Sequence, residues 1–178
     1  MNLISALLDL CSASERPIIA IDGPAGAGKT TLAQAIKLAM ADRYETNVLH
    51  MDNLYDGWED ALGPQLGQTL TYAVKSHRAG SNLHLSYYDW THAHFQEAQE
   101  IPAKELLILE GVGSGQRAIR GDITALIWIG IDEKVGLERV LERDGDYISN
   151  QMHRWLMAQE QHFLLEETEE SADFSLIT

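Results

Sequence analysis

The sequence predicts an α/β fold, a three-layer sandwich with a mostly parallel central sheet. Three observations lead there. Short apolar runs at Pro17–Asp22, Glu105–Glu110 and Ala125–Ile131 lack polar alternation, the pattern of parallel strands covered on both faces. Segments with apolar residues at helical spacing separate those runs, so strands and helices alternate. A glycine-rich segment, Gly23 to Gly28, joins the first strand to the helix after it.

The elements follow in order. Leu3, Ile4, Leu7, Leu8 and Cys11 recur at helical spacing, which predicts an amphipathic helix over 2–13. After the strand to Asp22 and the glycines, Leu32, Ala35, Ile36, Ala39 and Met40 predict a second helix over 31–43. Val48–Met51 reads as a strand and 66–77 as a helix. Leu83 to Tyr88 alternates as one strand or extended segment. Helices follow over 133–143 and 148–167, the second striped by Met152, Trp155, Leu156, Gln159 and Phe163. Phe174–Ile177 closes with a short strand.

With 178 residues, no repeats and no linker, the expectation is a single domain over 1–178. The net charge of −14 disfavours nucleic acid and anionic membrane surfaces as partners. A lone cysteine, Cys11, excludes an internal disulfide framework and reads as an inert buried thiol. The first residues lack a basic signal-peptide region, and no apolar run is long enough for a span, so the protein is expected in the cytoplasm. Oligomeric state is open, with room for a homodimer.

In parallel sheets ligands bind beyond the carboxyl ends of the strands. That rule selects the places after Asp22, around Asp52 and around Glu110. Gly23-Pro24-Ala25-Gly26-Ala27-Gly28-Lys29-Thr30 fits G-x-x-x-x-G-K-[ST] between a strand and a helix. Its glycines let successive N–H groups turn inward as an anion nest, and the helix start adds its positive end. Lys29 can bridge the outer phosphates of ATP or GTP, and the Thr30 hydroxyl can ligate Mg²⁺. The sandwich is thus expected to be that of P-loop NTPases.

Glu110 ends a buried strand and is followed by Gly111-Val112-Gly113, which suits a carboxylate that binds Mg²⁺ directly or through water. Asp52 ends the second strand, where it can take a proton from an attacking hydroxyl or complete the Mg²⁺ shell. Arg139 and Arg143 lie one helical turn apart and can neutralise charge on the phosphates. Tyr87-Tyr88-Asp89-Trp90 with His92 and His94 can stack a base or wall a sugar pocket. His50 and Met51 read as strand packing. Arg117 and Arg120 are the candidates for a clamp if the acceptor carries a phosphate.

In this order the motifs resemble the uridine kinase branch of P-loop kinases, whose relatives include phosphoribulokinase and bacterial pantothenate kinase. The resemblance runs from about Pro17 to Thr178. It rests on Gly23 to Thr31, Met51-Asp52-Asn53-Leu54-Tyr55, Tyr88-Asp89-Trp90, Ile108-Leu109-Glu110-Gly111, Arg139 to Asp144 and Ala172-Asp173-Phe174. It implies that Asp52 is the general base and a Mg²⁺ neighbour. It also implies that Tyr55 and Tyr88 lie near the acceptor, that Glu110 belongs to the metal shell, and that the arginines form a lid over the phosphates, a short one because the segment after Arg143-Asp144 is short. The segment Trp58–Gln65 does not align with the part that holds the nucleoside sugar in that family. The expected activity is transfer of the γ-phosphoryl group of ATP to a small-molecule hydroxyl, a nucleoside first. A kinase for pantothenate, a sugar acid or a nucleoside monophosphate is an alternative, as is a regulatory module that only binds ATP.

Overall fold

The computed structural model describes residues 2–178. Along the chain run α1 (Leu3–Ser12), β1 (Ile18–Asp22), α2 (Lys29–Ala39), β2 (Thr46–His50), α3 (Pro64–Arg78), β3 (Leu83–Leu85), β4 (Tyr88–Asp89) and β5 (His94–Phe95). There follow β6 (Gln99–Ile101), β7 (Leu106–Glu110), α4 (Arg117–Arg120), β8 (Ala125–Gly130), α5 (Glu133–Asp144), α6 (Ser149–Glu166) and β9 (Phe174–Ile177). Short 3-10 turns sit at Met51–Asn53 and Asp146–Ile148.

The central sheet has the order β2-β7-β1-β8-β9, and every neighbouring pair is parallel. β1 and β7 are buried at all five positions, because helices cover both faces. Alternation along the strands divides the core in two. Ile19, Ile21, Leu106 and Ile108 pack with Leu7, Cys11, Ala33 and Ile36 under α1 and α2. Ile18, Leu107 and Leu109 pack on the opposite face with Leu66, Leu70 and Val74 of α3 and Trp155 of α6. Each fully buried leucine or isoleucine here contributes about 1.5–3 kcal/mol. Burial keeps the Cys11 thiol protonated, its pKa pushed up to about 11.

Local chemistry sets the ends of the helices. The Asn2 side chain caps α1 through Ser5 N–H at 2.8 Å. Asp132 caps α5 through the amides of Lys134 and Val135, and Pro64 occupies the first turn of α3. Among the described residues, no side chain caps α2.

The expected single strand over Leu83–Tyr88 is broken. β3 pairs antiparallel with β6, and β4 pairs antiparallel with β5. The alternation is real, since Leu83 and Leu85 are buried. The partner strands, however, are two or three residues long and have no apolar period of their own to announce them. The second helix begins at Lys29 rather than Thr31, because the left-handed Gly28 ends the loop there. Among the described residues, no helix is long and apolar enough to cross a membrane.

Sheet register decides what meets at the carboxyl edge. Glu110 on β7 lies opposite His50 on β2 and Ile21 on β1. Asp22 lies opposite Trp128 on β8. Three ionisable residues far apart in sequence, Asp22, His50 and Glu110, thereby share one edge.

Candidate active site

The loop from Gly23 to Gly28 is shaped by three positive-φ glycines. A Cβ on Gly23 would come within 2.2 Å of the Ile129 carbonyl oxygen, and one on Gly26 within 2.3 Å of the Gly136 carbonyl oxygen. Both positions therefore lack space as well as backbone freedom. Gly28 differs: with φ +92° and nothing within 4 Å of a would-be Cβ, conformation alone selects glycine. The loop leads straight into the uncapped amides of α2 at Lys29, Thr30 and Thr31. Such amides, with the positive end of the helix dipole, bind anions.

Lys29 is 8% exposed, and its ammonium donates to the carbonyls of Gly23 and Pro24, each at 2.7 Å. Burial lowers its pKa, while Asp22, Asp52 and Glu110 pull the other way. Thr30 Oγ1 donates to Glu110 Oε1 at 3.1 Å. His50 Nδ1 contacts the same oxygen. This hydrogen bond is the main reason the His50 pKa is raised.

Asp52 sits on the 3-10 turn after β2, and its main-chain carbonyl accepts from Trp90 Nε1 at 2.9 Å. Asp52 itself is exposed. Partial desolvation raises its carboxyl above the ordinary range, while Lys29 opposes the rise and Glu110 adds to it. The charges of Lys29, Glu110, His50 and Arg143 all reach this group.

α5 lies over the loop backbone to backbone. Arg139 Nη1 donates to the Gly26 carbonyl at 3.3 Å. Arg143 forms a two-point pair with Asp144, at 2.7 and 2.6 Å, which holds its pKa up. Gly145, at φ +98°, ends the helix immediately after.

Among the described residues, no three His, Cys, Asp or Glu side chains form a metal-holding cluster. One hydroxyl and one or two carboxylates beside an anion nest do not make a closed zinc site. They fit Mg²⁺, which is commonly held by one or two carboxylates and by phosphate oxygens.

No family model matches this chain, and no curated protein does. Solved structures do. A candidate uridine kinase from Bacillus stearothermophilus superposes with TM-score 0.67 at 18% identity, covering 99% of this chain and 100% of that one. A candidate fructose transport system kinase from Silicibacter sp. TM1040 gives 0.66 at 16%, covering 98% and 99%. The D-glycerate 3-kinase of Cryptococcus neoformans gives 0.59 at 11%, covering 94% and 87%. The chain shares the fold of these three solved structures.

Within this fold the remaining residues of interest divide. Tyr88, Trp90, Trp58 and Trp155 form a chain of edge-on aromatic contacts, with centroids 5.1, 5.3 and 6.3 Å apart. Asp89 accepts from the amides of Thr91 and His92 and from His92 Nδ1, at 2.9–3.0 Å. These donors hold its carboxyl well below the usual range. A hollow of about 450 Å³ opens between α3 and the ribbons, lined by Leu54, Gln65, Gln68, Thr69, Tyr72, His84, Leu85, Ser86 and Phe95.

Two residues of the expected acceptor set are engaged within the fold. Tyr55 is 3% exposed, its hydroxyl donates to the Val112 carbonyl at 2.8 Å, and its ring packs on Trp155. It is a core residue, because the chain turns inward after the 3-10 turn. Arg117 pairs with Glu167 at 2.6 Å, and its backbone N–H donates to Glu166 at 2.6 Å. It fastens α4 to the end of α6.

Sequence reasoning missed four residues. His50, read as packing, contacts Glu110. Asp22, fully buried, accepts from the amides of Gly23, Gly113 and Gly115 at 2.8, 3.1 and 2.8 Å, joining the phosphate loop to the loop after β7. Gln159 of α6, 4% exposed, accepts from Ala25 N–H at 3.1 Å. Gly136 of α5 lets that helix touch the phosphate loop. A polar residue inside an apolar helical stripe was a signal for Gln159; the others had none.

Proposed function

We propose that this protein is a cytoplasmic, Mg²⁺-dependent kinase. It transfers the γ-phosphoryl group of ATP to a hydroxyl of an uncharged small molecule, a nucleoside first. The observation that carries this reading is the placement of Asp52 just past the end of β2, where the charges of Lys29, Glu110 and Arg143 all reach its carboxylate. A protein that only binds nucleotide needs the loop, Lys29 and Thr30. It has no use for a basic carboxylate on the far side of the phosphates.

Each group has a task. The loop amides and the start of α2 hold the phosphates. Lys29 exchanges the carbonyls of Gly23 and Pro24 for phosphate oxygens, so its charge is already at the site. Thr30 and Glu110, with Asp52 adjacent, are the oxygens that would hold the metal, which when bound neutralises charge on the phosphates. Asp52 accepts the acceptor's hydroxyl proton. Arg143 can leave Asp144 for the transferred group, where negative charge grows.

The acceptor side favours a neutral molecule. Arg117 is paired with Glu167, Arg120 donates to the carbonyls of Gly115 and Glu166, and Arg154 lies 3.7 Å from Glu59. A phosphate-bearing acceptor would need one of these released. The aromatic residues around Trp90 and the ordered Asp89 suit a ring and its hydroxyls.

A coupled ADP-release screen over nucleosides, nucleotides, pantothenate and sugar acids tests the proposal. Nucleosides should stimulate release, and Lys29→Ala should abolish that stimulation while the protein stays folded. Stimulation by monophosphates alone would overturn the neutral-acceptor reading. Nucleotide binding with no stimulation by any acceptor would leave a binding module.

A further inference from the structure

Glu110 is held from two directions. Thr30 Oγ1 reaches its Oε1 from the first turn of α2, and His50 Nδ1 reaches the same oxygen from β2. The second contact follows from sheet register, because His50 and Glu110 are partners on adjacent parallel strands. The His50 side chain is 33% exposed and that of Glu110 is 6% exposed, so the imidazole is the outer partner of the pair. Among the described residues, Glu110 Oε2 has no hydrogen-bond partner. Both donors thus gather on one oxygen and leave the other unclaimed.

We propose that His50 is a positioning residue for the magnesium–nucleotide complex: it fixes the Glu110 carboxylate so that the free oxygen is presented to the metal or its water. The proposal rests on the kinase reading of the site. A glutamate at a strand end has three side-chain torsions. Thr30 alone is a poor anchor, because its hydroxyl is itself a candidate metal ligand. An imidazole N–H on the outer side restrains the carboxylate without competing for the metal. Partners of this kind orient ligating carboxylates, and their removal commonly weakens metal binding about ten- to a hundredfold.

The test separates metal-dependent from metal-independent binding. Affinity for a non-hydrolysable ATP analogue is measured by calorimetry with excess Mg²⁺ and again with EDTA, in the parent protein, His50→Ala and His50→Asn. Asparagine can place an N–H near the position of Nδ1. With EDTA all three should bind alike, since the loop amides and Lys29 are untouched. The Mg²⁺-dependent gain in affinity should fall about ten- to a hundredfold in His50→Ala and largely return in His50→Asn. Thermal melts verify folding. If alanine loosens the strand, His50→Phe keeps the ring without the donor and should show the same loss. An unchanged Mg²⁺-dependent gain in a folded His50→Ala or His50→Phe would overturn the proposal, as would a larger gain, which would mean that His50 competes with the metal. If the parent does not bind the analogue under either condition, the kinase reading fails instead.

Discussion

Replacing Gly136 by alanine drives a methyl group toward the phosphate loop. Its Cβ would lie 2.7 Å from the Ala25 carbonyl oxygen and 3.3 Å from Ile131 Cγ2. Close C···O contacts in proteins settle at about 3.3–3.6 Å, so helix and loop must separate by roughly 0.6 Å or more. Two effects oppose each other. Alanine inside a helix is favoured over glycine by about 1 kcal/mol. Overpacking a tight contact costs about 1–3 kcal/mol. The net loss of stability should therefore be about 0–2 kcal/mol, a melting temperature lower by at most about 4–8 °C in a protein of this length. Function should suffer more. Gly26 faces the Gly136 carbonyl in the reciprocal contact, and Arg139 donates to Gly26 from the next turn of α5. Backing α5 away moves the arginine-bearing helix off the loop. Nucleotide titration beside thermal melts is the assay: the affinity of Mg²⁺–ATP should drop even where the melt barely moves. A Gly136→Ala protein with undiminished affinity and raised stability would refute the reasoning, since the Ala25 carbonyl would then turn aside freely.

Asp52→Asn should bind ATP normally but lose acceptor-dependent turnover by about 10²–10⁴-fold, the usual contribution of a general base; equal turnover would remove Asp52 from the mechanism. Arg143→Ala should lower kcat on the order of 10²-fold with little change in ATP affinity, because the charge it meets grows only as the group transfers; steady-state kinetics decides. His77 is buried between Arg16 and Arg78 and donates to the Pro17 carbonyl, and its pKa is lowered to about 4. Because the folded pKa lies below the unfolded value, the unfolded chain binds more protons below pH 6.5. The His77 contribution is complete above pH 6.5 and is lost as pH falls toward 4, about 3 kcal/mol in all. Urea melts across that range should show a steeper acid loss in the parent than in His77→Gln.

The layered α/β fold and the phosphate loop were legible in the chain, because both are local. Apolar runs declare buried parallel strands wherever they occur. The loop needs only glycines, a lysine and a hydroxyl in one short stretch before a helix. The order of Asp52, Glu110 and Arg143 along the chain was legible as well. The partners of those residues were not. His50 and Glu110 are 60 positions apart and meet only because β2 and β7 are neighbours in register. Asp22 draws two of its amides from a loop 91 and 93 positions away. Tyr55 and Arg117 carry side chains suited to a ligand, yet the fold turns one inward and gives the other to Glu167. Sequence alone determined which chemistry is present, since residue types and local spacing are its own content. Only the tertiary structure decided which groups face each other, because strand order and helix docking bring distant residues together by burying the apolar faces around them.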